Sequence, residues 1–222
     1  MKKIFGGTET KVVQYVESVF QPEDACLKET RERAELKGLP IIQVGKMDGL
    51  HLETLTRAIG AKKAVEIGTL GGYSGICITR GLGPEGKLYT FEVDQTHADT
   101  ARESFKKAGI LDQIEIHIGP ALDQLHKINK NAPFDLVFID ADKVNYPQYL
   151  KWAADHLKIG GVVLADNTLA WGMIADSSFG SIEDERAVKA LREFNLVAAQ
   201  GGRFRSTLLP TGEGLTLAIK IR

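Results

Sequence analysis

From Lys63 onward the chain alternates short apolar runs with amphipathic stretches, and this alternation constrains the fold more than any other feature. Ala64–Ile67, Lys87–Val93, Ile114–Ile118, Leu136–Ile139 and Val162–Ala165 read as strands. Two of these runs, Leu136–Ile139 and Val162–Leu164, are apolar at every position, as in strands buried on both faces. Tyr73–Arg80, Thr96–Ala108, Ala121–Asn129 and Tyr146–Leu157 read as the intervening helices. Strands joined by helical crossovers imply an α/β domain with a doubly wound parallel sheet. The end of the chain differs. After a helix near Glu183–Ala198, "FRSTLLPTGEGLTLAIKI" reads as two strands around a Pro/Gly turn, an antiparallel hairpin closing one sheet edge.

The first sixty residues read as helical. "TKVVQYVESVF" spaces Val12, Val13, Val16, Val19 and Phe20 as one helix face. "QPEDACLKETRERAELKG" has Pro22 near a helix start, acids in the first turn and Gly38 as a stop, and Asp48 is placed to cap a third helix ending at Gly60. A chain of 222 residues suits one domain, 1–222, with 1–60 as a helical N-terminal extension.

Composition removes several classes of function. With 28 basic against 29 acidic residues there is no basic excess for nucleic acid. Apolar stretches are too short to span a membrane. Lys2–Lys3 resemble a signal n-region, but "IFGGTETK" supplies no apolar segment after it. Cys26 and Cys77 share no metal-ligand spacing with each other or with the five histidines, so a reduced, cytoplasmic protein is expected.

Both fully apolar strands finish in polar residues: Asp140, Asp142 and Lys143 after one, Asp166 and Asn167 after the other. Ligands of open parallel sheets bind beyond the carboxyl ends of the strands, so these groups face a shared crevice. Asp140, Asp166 and Asn167 offer hard oxygens of the kind magnesium takes while keeping positions open for a chelating substrate. Lys143, three residues after Asp140, is a candidate general base. Spacing alone equally allows the acids to be helix caps and Lys143 a solvated charge.

"VEIGTLGGYSG", Val65 to Gly75, follows the first strand. Its glycines miss the dinucleotide spacing, and no phosphate-loop lysine is present. Glu66 would repel pyrophosphate and attract a cationic ligand, while Glu92, ending the second strand, can accept both hydroxyls of a ribose. A ligand with an adenosine end and a positive amino-acid end, S-adenosylmethionine, fits both acids. A tight turn with two solvated acids is the plainer alternative.

Together "VEIGTLGGYSG", "FEVD", "GPAL", "FIDADKVNY", "LADNTL" and "LLPTGEGLTLAIK" resemble the cation-dependent O-methyltransferases, caffeoyl-CoA type and bacterial relatives above all, catechol O-methyltransferase more distantly. The resemblance covers roughly residues 40 to 222. It implies a Rossmann-like, mostly parallel seven-stranded sheet with a reversed last strand, S-adenosylmethionine as donor, and Mg2+, or another divalent cation such as Mn2+ or Ca2+. It implies Asp140, Asp166 and Asn167 as metal ligands and Lys143 as base. The implied donor site comprises Val44, Glu66, Gly68, Thr69, Ser74, Glu92, Ala121, Asp142 and Tyr149. The implied acceptor is one hydroxyl of a vicinal aromatic diol, a small-molecule phenolic of the catechol, flavonoid or caffeoyl-ester kind, with Asp140 and Trp171 toward it. The N-terminal helices would shape the acceptor pocket and a homodimer contact.

Two departures bear on the acceptor. "DNTLAWG" stands where plant enzymes read "DNTLWNG", so Trp171 takes the place of an asparagine. Asp142 stands where catechol methyltransferase carries a tryptophan. The acceptor is therefore not copied from either, and Trp171 can wall an aromatic acceptor or pack a lid. A nicotinamide-dependent oxidoreductase predicts the dinucleotide spacing that is absent. A non-catalytic donor-binding sensor predicts loss of metal or base residues, all of which are present.

Overall fold

The computed structural model describes residues 10–222. The Lys2–Lys3 stretch lies outside the described residues. Three helices come first: α1 (Thr10–Phe20), α2 (Ala25–Leu36) and α3 (Lys46–Ala58). Strands and helices then alternate: β1 (Lys63–Ile67), α4 (Tyr73–Leu82), β2 (Lys87–Glu92), α5 (Gln95–Lys107), β3 (Ile114–Ile118), α6 (Ala121–Gln124), β4 (Phe134–Ile139), α7 (Tyr146–His156) and β5 (Leu157–Ala165). The chain closes with α8 (Ile182–Gln200), β6 (Phe204–Leu209) and β7 (Leu215–Lys220).

The seven strands form one sheet in the order β3-β2-β1-β4-β5-β7-β6. The first five in that order pair in parallel, and β7 runs antiparallel to both β5 and β6. From β1 the chain works outward to β3, then crosses back to place β4 on the other side of β1. This reversal opens the crevice where ligands of such sheets bind.

Both sheet faces are covered, which is why β4 is apolar from Leu136 to Ile139. Val137 and Ile139 join a cluster with Phe91, Tyr146 and Phe194 on one face. Leu136 and Phe138 join Leu52, Ile76 and Phe105 on the other.

Four local expectations shift. The helix near Pro22 starts later, at Ala25, because Asp24 is the N-cap and accepts from the Leu27 N–H at 3.0 Å. Asp48 is not the cap of α3. Gly45 takes that position, and Asp48 sits buried in the first turn, where a carboxylate complements the helix dipole. The stretch read as a helix over Ala121–Asn129 is one turn of α-helix followed by 3-10 turns over Leu125–Asn131. The second strand stops at Glu92, so Val93 lies beyond the ladder, 69 % exposed.

The strand ends step into the crevice one hydrogen bond at a time. The Gly68 N–H donates to the Phe91 carbonyl at 3.0 Å, Asp140 N–H to Ile67 at 2.9 Å, and Asp166 N–H to Ile139 at 3.0 Å. Gly68 has φ +102°, and a Cβ there would fall 2.0 Å from the Asp140 carbonyl oxygen. Only glycine lets the first loop pass this close to the end of β4.

Candidate active site

A cavity of about 920 Å³ opens at the carboxyl ends of β1, β2, β4 and β5. This is the size range of small-molecule sites. Among its walls are Val44, Gly68, Thr69, Ser74, Glu92, Ala121, Asp142 and Tyr149, eight of the nine residues expected around a donor. Asp140, Lys143, Asn167 and Trp171 line it as well.

Glu66 is the ninth, and it is not on the wall. It lies inside the ladder, opposite Thr90 and Phe138, and is fully buried. Its Oε1 accepts from the Ser74 hydroxyl and its Oε2 from the Thr90 hydroxyl, each at 2.6 Å. Thus Glu66 supports the loop from beneath, behind the cavity wall. Burial pushes its carboxyl up to about 7; the two hydrogen bonds offset only part of that, and the charges of Asp140 and Glu92 add to the rise.

Glu92 folds its own surroundings. One oxygen accepts from the Leu70 N–H at 2.7 Å, the other from the N–H groups of Val93 and Asp94 at 2.9 and 3.0 Å. His97 Nδ1 lies 3.5 Å from the same carboxylate and faces the cavity. On the opposite side the Tyr149 hydroxyl donates to Asp142 at 2.6 Å, and the Asn145 amide holds the other Asp142 oxygen at 2.5 Å. Burial, then Asp142, raises the Tyr149 hydroxyl well above its ordinary value, so it stays a donor.

The polar cluster follows from β4 and β5 being neighbours. Their register pairs Ile139 with Ala165, so Asp140 and Asp166 leave adjacent strand ends. Asn167 follows in the left-handed region, φ 60°, a conformation asparagine tolerates. Asp166 Oδ1 accepts from the Asn167 N–H at 2.8 Å. The Asn167 amide nitrogen donates to Glu213, which turns the other end of the amide, Oδ1, away from that carboxylate. Among the described residues no group of three or more His, Cys, Asp or Glu gathers as a metal site. Two carboxylates and one amide oxygen nonetheless form an all-oxygen donor set, which fits a hard divalent cation.

Lys143 stands beside this cluster on a 3-10 turn, Lys143–Asn145. Its Nζ donates to Asp140 Oδ1 at 3.0 Å and to the Tyr146 hydroxyl at 2.7 Å. Tyr146 is fully buried and passes its own proton to the Asp166 carbonyl at 2.9 Å, so it receives from Lys143. The Trp171 ring, 44 % exposed, has its centre 6.0 Å from Lys143 Nζ. Ala170 and Trp171 both hold positive φ, 50° and 53°, in the loop that carries this ring.

Sequence reasoning missed Glu213 and Arg31. Glu213 lies in the β6–β7 turn, buried, and that turn receives the N–H groups of Thr168 and Leu169 at 3.1 Å. The available signal was a carboxylate between glycines in the quoted "PTGEGL". Arg31, on α2, lines the cavity with Thr30 and Ala34; its guanidinium covers the Tyr73 ring at 4.5 Å and pairs with Glu23 at 2.9 Å. Of the N-terminal helices, α2 walls the cavity, together with Ile41–Val44 after it.

The family model for O-methyltransferases matches residues 16–221. The chain belongs to the class I, S-adenosylmethionine-dependent O-methyltransferase family. It is 36 % identical over 209 residues to a catechol O-methyltransferase of Mycobacterium tuberculosis, covering 92 % of this chain and 93 % of that one. It is 32 % identical to a caffeoyl-CoA O-methyltransferase of Eucalyptus gunnii, over 92 % of this chain and 84 % of the relative. The crystal structure of an O-methyltransferase from Bacillus cereus in complex with SAH superposes with a TM-score of 0.87 at 36 % identity, covering 95 % of this chain and 97 % of the other. The enzyme class, the seven-stranded sheet and the reversed C-terminal strand read from sequence are thereby borne out, and the oxidoreductase and sensor readings find no support.

Proposed function

We propose that this enzyme transfers the methyl group of S-adenosylmethionine to one hydroxyl of a vicinal aromatic diol, with a divalent cation, Mg2+ or a similar ion, at the strand ends. The observation that carries the reading is the meeting of Asp140, Asn167 and Lys143 at one end of the cavity, with Asp166 buried behind Asn167 at the end of β5, across from the glycine loop and Glu92. The names of the catechol and caffeoyl-CoA relatives support the acceptor class.

The donor's ribose would take Glu92, its adenine would lie between Val93 and Ala121, and its amino-acid end would meet Ser74 and Val44. Asp142 and Tyr149 complete that half. Asp140, Asp166 and Asn167 would hold the cation, whose chemistry there is to acidify and orient the acceptor hydroxyls. Lys143 accepts the hydroxyl proton once its own amine is free. Asp140 keeps Lys143 in place, and Tyr146 fixes the amine from behind. Trp171 offers a flat apolar wall to an aromatic ring. Methyl transfer needs little more from the protein than alignment, for which effective molarities of about 10⁵ M or more are attainable.

The N-terminal segment 1–60 is proposed to act as an extension over the site and as a homodimer contact. In support, α1 buries none of its residues within the chain, and its Tyr15 and Phe20 are 65 % and 60 % exposed. Both cysteines are free, in keeping with a cytoplasmic enzyme. No helix among the described residues is long and apolar enough to cross a membrane.

Labelled S-adenosylmethionine with paired acceptors tests the acceptor class. Vicinal diols should be methylated, and the matched monophenols should not. Equal turnover of both would remove the diol from the proposal.

A further inference from the structure

We propose that Glu66 is a proton-switched positioning residue, whose neutral form lets Ser74 donate a hydrogen bond to the carboxylate of the methyl donor. This rests on the reading above, that the donor's amino-acid end meets Ser74. The geometry is a buried chain of hydroxyls around one carboxyl group. Ser74 and Thr90 each donate to Glu66 at 2.6 Å, and the Thr69 and Thr90 hydroxyls lie 2.5 Å apart. Ser74 and Thr69 line the cavity, whereas Glu66 and Thr90 lie beneath it.

Counting protons gives the switch. A hydroxyl has one proton, and an ionised carboxylate has none. With Glu66 ionised, Ser74 and Thr90 both spend their protons on it, and Thr69 must then donate to Thr90. All three protons point inward, so Ser74 and Thr69 show the cavity only lone pairs. With Glu66 neutral, its proton satisfies one of its two neighbours, and one hydroxyl proton is released toward the cavity. When Glu66 donates to Ser74, the released proton is that of Ser74.

The cavity already offers acceptors in Asp140, Asp142 and Glu92. An amino-acid ligand brings a carboxylate that needs donors, and Ser74 stands in the first turn of α4, where the helix dipole also favours an anion. The groups facing Glu66 keep the neutral form accessible. From β2 comes Glu92, from the end of β4 Asp140, both negative, and from α4 the Cys77 thiol, itself pushed up by burial. Burial and these charges bring the Glu66 carboxyl to about 7, so both forms are populated near neutrality.

Calorimetry with S-adenosylhomocysteine, between pH 6 and 9 and in buffers of different ionisation heat, tests this directly. Wild type should take up more protons on binding than Glu66→Gln, and its affinity should fall up to about tenfold per pH unit above neutrality through this group. Glu66→Gln presents an acceptor oxygen on one side and a donor group on the other, as the neutral acid does, and should bind across the range without that slope. Ser74→Ala should bind more weakly below pH 7 and lose most of the slope, a second route to the answer if the glutamine variant does not fold. Methylthioadenosine, which lacks the amino-acid carboxylate, should show no difference in proton uptake between wild type and Glu66→Gln. Equal proton uptake with S-adenosylhomocysteine in wild type and Glu66→Gln, or an unchanged slope in Ser74→Ala, would overturn the switch alone. Failure of wild type to bind that ligand at all would overturn the donor reading and the switch with it.

Discussion

Lys143 and Asp140 form an ion pair at the mouth of the sheet, Nζ to Oδ1 at 3.0 Å, with 9 % and 19 % of the two side chains exposed. The pair joins the proposed base to a proposed metal ligand, so removing the amine should touch the chemistry and little else. Lys143→Met is expected to keep the fold and the affinity for S-adenosylhomocysteine while slowing methyl transfer by about 10²–10⁴-fold, the usual worth of a positioned base. The deficit should shrink as pH rises, because the acceptor then ionises without help. A single-turnover pH profile checks it. A loss of constant size at every pH would make Lys143 an electrostatic or positioning group instead.

Glu92→Gln should weaken S-adenosylhomocysteine by about 1–3 kcal/mol, the cost of losing hydrogen bonds to a charged group. The amide can still accept from Leu70 but cannot accept from every N–H that the carboxylate holds. Calorimetry measures the loss. Unchanged donor affinity would take Glu92 out of the ribose site.

Glu213→Ala removes the acceptor that orients the Asn167 amide. Groups that orient a metal ligand typically matter by about 10–100-fold in metal affinity or activity. The Mg2+ concentration for half-maximal rate should rise by a factor in that range, with donor affinity unchanged. A metal titration of the rate decides, and an unaltered half-maximal concentration would make Glu213 a packing residue.

The strand core was legible because Leu136–Ile139 of β4 and Val162–Ala165 of β5 are apolar on both faces, a pattern that few other environments produce. The crevice was legible because the carboxylates interrupt that pattern where the ladder ends. What was not legible is which side a residue inside the ladder takes. Glu66 precedes the last residue of β1 and points toward α4, so its carboxylate is sealed under the loop; a carboxylate at a strand end looks the same in sequence whether it is sealed or open. The cap of α3 was misread because Asp48 is a favoured cap residue, yet the chain turns three residues earlier, at Gly45. Glu213 and Arg31 reach the site from distant segments, and only the packing of the β6–β7 turn and of α2 brings them there.

Asp135 ties the start of β4 to β1. Its carboxylate accepts the N–H groups of Lys62 and Lys63 at 2.7 and 2.8 Å and pairs with Lys158 at 2.6 Å. Burial alone would raise this carboxyl, but Lys158 and the two N–H groups outweigh it and hold the group below its ordinary value. A lowered native value means stability that is present above the unfolded carboxylate pKa and lost as pH falls through the native one. Denaturant melts from pH 7 down to 3 should therefore show wild type losing more stability than Asp135→Asn, with the difference confined to the acid end. Parallel curves would contradict that assignment.

Methyl transfer from labelled S-adenosylmethionine to a catechol, before and after chelation of divalent cations, is the most direct measurement of the proposed chemistry. The glycine loop and Glu92 lie on other strands than Asp140, Asp166 and Asn167, so chelation should abolish transfer and leave S-adenosylhomocysteine binding intact, with Mg2+ restoring the rate. Full activity in the chelated enzyme would contradict the assignment of these three residues to a metal.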